Sequence, residues 1–455
     1  MKNGKRSSFS GKLGYVLAAA GASVGLGNIW RFPYLAAKYG GGIFLIIYIV
    51  LALTFGYTMI VAETAIGRMT RKSPVGAFKS FGKKKWLSFG GWINAVIPVL
   101  IVPYYSVIGG WVIKYLVEYF RGNAKQLAED GYFTDFISNG VSTELCFMAF
   151  CAFTLIIIFA GVQNGIERVS KIMMPILIVL SVIIAVYSVS RPGAFAGVKY
   201  FLVPNVKNFS WMTVVSAMGQ MFYSLSIAMG ILITFGSYMK KDTAIEDSTR
   251  NVEIFDTGIA IMAGLMIIPA VFAFSGGDPD TLQAGPSLMF ITIPKVFQNM
   301  GFGTVIGIVF FLLVLFAAVT SSIALTESAV STFEDELGWG RKKATVLVGV
   351  IMLALGSLSS LGYGPLAGIK IIGMQFLDLF DFLTNSVMMP IAALLTSLFV
   401  SRVVGIDKIE DEIIHGESAF RRKKVFVVMI KYLCPVFAII ILLSSVANAL
   451  GWIKM

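Results

Sequence analysis

The sequence predicts an all-α polytopic membrane protein of about eleven transmembrane helices, arranged as an inverted 5+5 repeat with helices 1 and 6 broken. Three observations carry this. The 455 residues are 57% hydrophobic and only 14% charged, with a mean hydropathy of +0.81. Apolar runs of about 20 residues, enough to cross a hydrocarbon core, recur along nearly the whole chain. Two of those runs are interrupted by glycines and polar residues, five spans apart.

The expected spans are 13-37, 41-69, 87-117, 144-161, 166-189, 211-238, 246-274, 304-333, 343-361, 376-401 and 425-449. Residues 282-303, rich in Pro and Gly, read as an extracellular hairpin. The chain divides into a cytoplasmic tail (1-12), a core of two five-helix repeats (13-401), a cytoplasmic loop (402-424) and an extra helix 11 with the C-terminus (425-455). Of the 37 Lys and Arg, 25 lie in the tail or after spans two, four, six, eight and ten. By the positive-inside rule the N-terminus is cytoplasmic. After an odd number of spans the C-terminus lies outside, and the chain is a multi-pass protein of the plasma (inner) membrane.

The net charge of +12 does not point to nucleic acid, because the basic residues sit in short loops between apolar spans. Cys146, Cys151 and Cys434 fall in or beside apolar segments without metal-ligand spacing and read as buried small side chains. The single histidine, His415, sits in a charged loop, which leaves zinc and Ser-His-Asp chemistry without material.

Span one contains AGASVGLGNIWRFP at 20-33. Glycine costs about 1 kcal/mol in a helix interior relative to alanine. At membrane depth, unpaired backbone is tolerated only where it faces protein or a water-filled cavity. Span six carries a second break, GQMFYSLSIAMG at 219-230. Interruptions in corresponding positions of two halves point to an inverted-repeat transporter with its site at the midplane. Freed carbonyls suit a hard cation, and freed N–H groups suit a carboxylate.

With GASVGLGNIWRFPY in span one, ETAIGR at 63-68, YY at 104-105, FYSLSIAMG at 222-230 and AAVTSSIAL at 317-325, the chain resembles the neurotransmitter:sodium symporter family over spans one to ten. It is most similar to the family's bacterial amino-acid transporters, the leucine transporter among them. The resemblance implies two sodium ions. One would take the carbonyls of Gly21, Val24 and Ala317 and the hydroxyls of Thr320 and Ser321. The other would take the Ser23 carbonyl, Asn28, Ser224 and Asp256. The substrate pocket would contain Ser23, Leu26, Gly27, Ile101, Tyr105, Ile108, Tyr223, Ser226, Met229, Ser321, Ala324 and Leu325. Tyr105 would bond the substrate carboxylate, and Tyr223 would cover the pocket.

Arg31 and Asp381, with Asp378 as competitor, resemble an extracellular gate pair. Arg6 and Asp335, with Ser237 and Tyr238, resemble a cytoplasmic one. Glu63 would accept hydrogen bonds from unwound span-six backbone. Gly165 and Pro175 resemble a family pattern that lets span five unwind near its cytoplasmic end. Tyr48, Gln220 and Ser224 resemble parts of the chloride cradle of eukaryotic members. Ala260 supplies no hydroxyl or charge there, and Asp256, one turn earlier, provides a fixed negative charge instead. The expected activity is sodium-coupled symport of a neutral hydrophobic, aromatic L-amino acid by alternating access, without a chloride requirement. The protein is not expected to be an enzyme, since no Ser-Lys or Ser-His constellation stands out. A sensor or channel that binds the same ligand without accumulating it is the alternative.

Overall fold

The computed structural model describes residues 6–276, 285–449 and 452. Those residues are almost wholly helical. Among the described residues, nine helices are long and apolar enough to cross a membrane: Gly42–Thr70, Lys85–Phe120, Gly140–Phe159, Val162–Val189, Ile245–Ser275, Gly303–Leu337, Arg341–Leu361, Phe376–Val404 and Lys423–Asn448. A tenth is the bent pair Lys12–Ser23 and Gly27–Lys38, which turns by 54° at its break. The remaining expected span, 211-238, consists of Trp211–Ser224 and Ile231–Tyr238 around six non-helical residues. Its first half begins with Ser210 accepting from the Thr213 amide while Thr213 bonds back, a capping box that fixes the helix start.

The helix ends agree with the apolar runs to within a few residues, and two expectations need correction. The described part of 282-303 is not a hairpin. It holds a short apolar helix, Leu288–Gln298, whose Phe290 ring stacks on Phe133 and meets Trp111 and Tyr115 edge-on. Aromatic burial outweighs the turn propensity of its Pro and Gly here. The 402-424 loop contains the helix Ile406–Ile414, whose Ile409 and Ile413 are buried at helical spacing.

The Gly-Pro pattern leaves span five wound. Gly165 sits in the π turn Val162–Glu167, and Pro175 is inside the continuous helix Arg168–Val189. The lost backbone bond at Pro175 is absorbed without a break, as transmembrane helices tolerate.

Spans one, two, six, seven and eight enclose the two breaks. Their inward faces are small, which allows close approach. A Cβ added to Gly67 would lie 2.0 Å from the Ile233 carbonyl oxygen, so span two and the second half of span six touch backbone to backbone.

Candidate functional site

The first break begins where Val24 leaves the helical region, at φ −75° and ψ 95°. In the second, Ser226 and Ala228 adopt φ of +52° and +59°. Non-glycine residues rarely hold that left-handed conformation, and it persists where surrounding contacts enforce it. Those contacts are visible. The Ser226 hydroxyl donates to the Ala22 carbonyl at 2.9 Å. The Ala228 amide donates to the buried Glu63 carboxylate at 2.6 Å. The two broken helices are therefore tied to each other and to span two.

Between them lies a narrow cavity of about 30 Å³. Ser23, Leu26, Gly27, Ile101, Tyr105, Tyr223, Ser226, Met229, Ser321 and Leu325 line it, together with Ala22, Gly25 and Asn28. Ile108 and Ala324, both expected here, are buried but do not line it. Ile108 sits almost one turn beyond Tyr105, and Ala324 lies behind its neighbour Leu325. No charged side chain faces the space.

Bare backbone forms one wall. A Cβ on Gly25 would approach Ser321 Oγ to 2.7 Å, and one on Gly27 would lie 2.3 Å from the Tyr223 ring. The Tyr105 hydroxyl accepts from the Leu26 amide at 3.3 Å. One edge of the Tyr223 ring thus lies against Gly27, with the Arg31 guanidinium 5.3 Å from the ring centre.

Two oxygen-rich clusters flank the cavity. In the first, Ser321 Oγ lies 3.2 Å from the carbonyl oxygens of Gly21 and Ala22 and 3.4 Å from that of Val24. Thr320 Oγ1 is 3.2 Å from the Ala317 carbonyl. In the second, the fully buried Asp256 carboxylate accepts from Asn28 Nδ2 at 2.8 Å, Ser224 Oγ at 2.9 Å and the Tyr48 hydroxyl at 3.0 Å. Asn28 turns its Oδ1 away, to the Gly25 amide at 3.1 Å. The Ser23 hydroxyl bonds the Ala19 carbonyl, inside its own helix. Gln220 donates to the Gly27 carbonyl at 3.0 Å, and Ala260 is buried.

At the extracellular end Arg31 covers the Tyr223 ring and acts on Asp381 through space, without a direct ion pair. Asp381 instead accepts from Asn385 at 2.6 Å and from the Tyr104 hydroxyl at 3.3 Å. Asp378 accepts from the Tyr363 hydroxyl at 3.1 Å.

At the other end the expected residues do meet. Arg6 pairs with Asp335 at 2.6 Å, bonds Ser237 Oγ at 2.9 Å and covers the Tyr238 ring at 5.0 Å. Sequence reasoning missed Glu327, which is fully buried, accepts from the Tyr238 hydroxyl at 2.7 Å and pairs with Arg341 at 2.6 Å. A carboxylate ten residues before the end of a spanning helix was the available signal.

Comparison with known proteins agrees with this geometry. The profile of the sodium:neurotransmitter symporter family matches residues 6–130 and 118–452. An uncharacterized sodium-dependent transporter of Bacillus subtilis, YhdH, is 34% identical over 450 residues, covering 98% of this chain and 99% of its own. The human sodium- and chloride-dependent GABA transporter 2 is 26% identical, over 90% of this chain and 75% of its own. The crystal structure of MhsT in complex with L-phenylalanine superposes with a TM-score of 0.86 at 34% identity, covering 97% of this chain and all of MhsT. These are transporters and not enzymes. The chain belongs to the sodium:neurotransmitter symporter family and is a multi-pass, sodium-coupled membrane transporter.

Proposed function

We propose that the protein is a symporter that couples two sodium ions to uptake of a neutral hydrophobic L-amino acid, with aromatic ones preferred, by alternating access. The observation that carries the cation part is the first cluster. Three carbonyl oxygens lie within 3.4 Å of Ser321 Oγ, yet that hydroxyl has a single proton to donate. The surplus lone pairs suit a hard cation, which takes oxygen ligands. At the second cluster, Asp256 supplies a full negative charge, and Asn28 has to rotate its Oδ1 toward Asp256 to join it as a ligand.

The amino-acid part rests on three features of the cavity. Tyr105 offers a hydroxyl to a carboxylate, which would also take over the Gly25 and Leu26 amides now bonded to Asn28 Oδ1 and the Tyr105 hydroxyl. Leu26, Ile101, Met229 and Leu325 provide apolar walls. The absence of a facing charge disfavours acidic or basic side chains. MhsT, similar throughout, carries L-phenylalanine in its crystal structure. Methionine adapts its shape to a large ring better than a rigid side chain does.

Transport needs no chloride in this reading. Asp256 already occupies the donors of Tyr48 and Ser224. A second anion beside it in a low-dielectric site is unfavourable. Loops bearing the basic residues face the cytoplasm, so the Arg6–Asp335 cluster is the inner gate and Tyr223 with Arg31 the outer cover. Competition among amino acids tests the substrate assignment: phenylalanine, tyrosine or tryptophan should displace a bound tracer better than alanine. Glutamate or lysine as the best competitor would overturn it.

A further inference from the structure

Span eleven places a lysine on its outer surface well inside the helix. Lys431 is exposed eight residues past Lys423, in a helix only 33% buried over its apolar window. A charge facing lipid is expensive and marks a functional position unless compensated. Two neighbouring basic residues are already compensated: Arg422 pairs with Glu253 at 3.3 Å, and Lys423 with Glu410 at 2.5 Å. Lys431 and Lys424 have no ion-pair partner among the described residues.

The local backbone presents this lysine outward. Residues Met429–Leu433 form a π turn, whose extra residue widens the helix and often marks a functional site. As a result Lys431, Tyr432 and Leu433 are all exposed in succession, Tyr432 by 66%. Lys424 and Lys431 are seven residues apart, about 10 Å along the axis, and both are exposed. Helical side chains lean toward the N-terminal end. Lys431 therefore reaches back toward Lys424 and the Arg421–Lys424 end, which lies at the membrane interface.

We propose that Lys424 and Lys431 hold the phosphate of an anionic phospholipid headgroup, with Tyr432 beside it at the level where amphipathic rings settle. The occupant follows from charge: two uncompensated ammonium groups on a lipid-facing surface require an anion, and the lipid is the phase they face. The π turn sets the spacing.

Native mass spectrometry of the purified full-length protein, titrated with phosphatidylglycerol and separately with phosphatidylcholine, tests this. Lys424→Gln and Lys431→Gln should each weaken phosphatidylglycerol binding about fivefold and leave phosphatidylcholine binding unchanged. Lys431→Arg should retain binding, and Lys125→Gln, far from this face, should behave as wild type. Wild-type binding should weaken with added salt, since exposed charges are screened, which gives a readout independent of variant folding. Phosphatidylglycerol affinity within twofold of wild type in the double Gln variant, or salt-insensitive binding, would overturn the proposal. So would a dimer that dissociates in Lys431→Gln with lipid binding intact, which would make this face a contact between two copies of the chain.

Discussion

Asp256→Asn is the most informative single substitution. The carboxylate accepts three short hydrogen bonds, from Asn28, Ser224 and Tyr48, and is fully buried. An amide keeps the shape but turns one acceptor into a donor, so at least one of these bonds is lost. A hydrogen bond to a charged group contributes about 1.5–3 kcal/mol. A neutral side chain is cheaper to bury, which offsets much of that loss in stability. The effect on a cation is not offset. At about 4 Å and an effective dielectric constant near 20, a unit charge attracts a cation by about 4 kcal/mol. Part of this goes into desolvating the carboxylate, so about 2–3 kcal/mol should be missing in the variant. That corresponds to a loss of about 30- to 150-fold in sodium affinity. The assay is the sodium concentration giving half-maximal binding of a labelled amino acid, at constant ionic strength. A half-maximal concentration within twofold of wild type would refute the assignment of Asp256 as a sodium ligand. Adding Ala260→Ser to Asp256→Asn should make binding respond to chloride where wild type responds equally to chloride and gluconate.

Other substitutions test the remaining parts. Ser321→Ala or Thr320→Ala should raise the sodium requirement at least tenfold in the same assay by removing a hard ligand; unchanged sodium dependence would empty the first cluster of its role. Gly27→Ala drives a methyl group into the Tyr223 ring, 2.3 Å away; overpacking of this kind costs about 1–3 kcal/mol, and should appear as weaker substrate binding together with a lower melting temperature. Arg6→Ala should raise the reactivity of a cysteine placed at Ser237, because the inner cluster loses its guanidinium; its own stability effect should be small, since the pair is partly exposed. Arg68→Ala should be destabilising, by about 1.5–3 kcal/mol, measured as lost thermal stability, because it removes the 2.7 Å pair with the buried Glu412 and leaves only Lys241, at 2.8 Å, to compensate that carboxylate.

The sequence made some of these features legible and hid others, for physical reasons. Spans were legible because hydropathy is a local sum. The breaks were legible because Gly21, Gly25 and Gly27 beside Asn28 have no other use inside a membrane. Asp256 stood out as the carboxylate furthest into its span, beyond Glu246, Asp247 and Glu253. Side-chain pairing across helices was harder. Arg31 and Asp381 carry opposite charges, yet which aromatic or amide group each engages depends on rotamers that spacing does not fix. Ile108 and Ala324 differ from true lining residues by one helical step. The helix Ile406–Ile414 was hidden in a short charged loop, where only the Ile409–Ile413 pair signals an apolar face. The Leu288–Gln298 helix was hidden by Pro294 within it and by Gly285, Pro286, Gly301 and Gly303 around it, which mark turns locally while tertiary aromatic contacts override them.

The central claim is sodium-driven accumulation of an amino acid through this site. The direct measurement is uptake of labelled L-phenylalanine by sealed proteoliposomes under an inward sodium gradient, against the same vesicles in potassium. The account predicts accumulation above the external concentration with sodium only, collapsing when a sodium ionophore dissipates the gradient. Equal uptake in both salts, or saturable binding without accumulation, would contradict it.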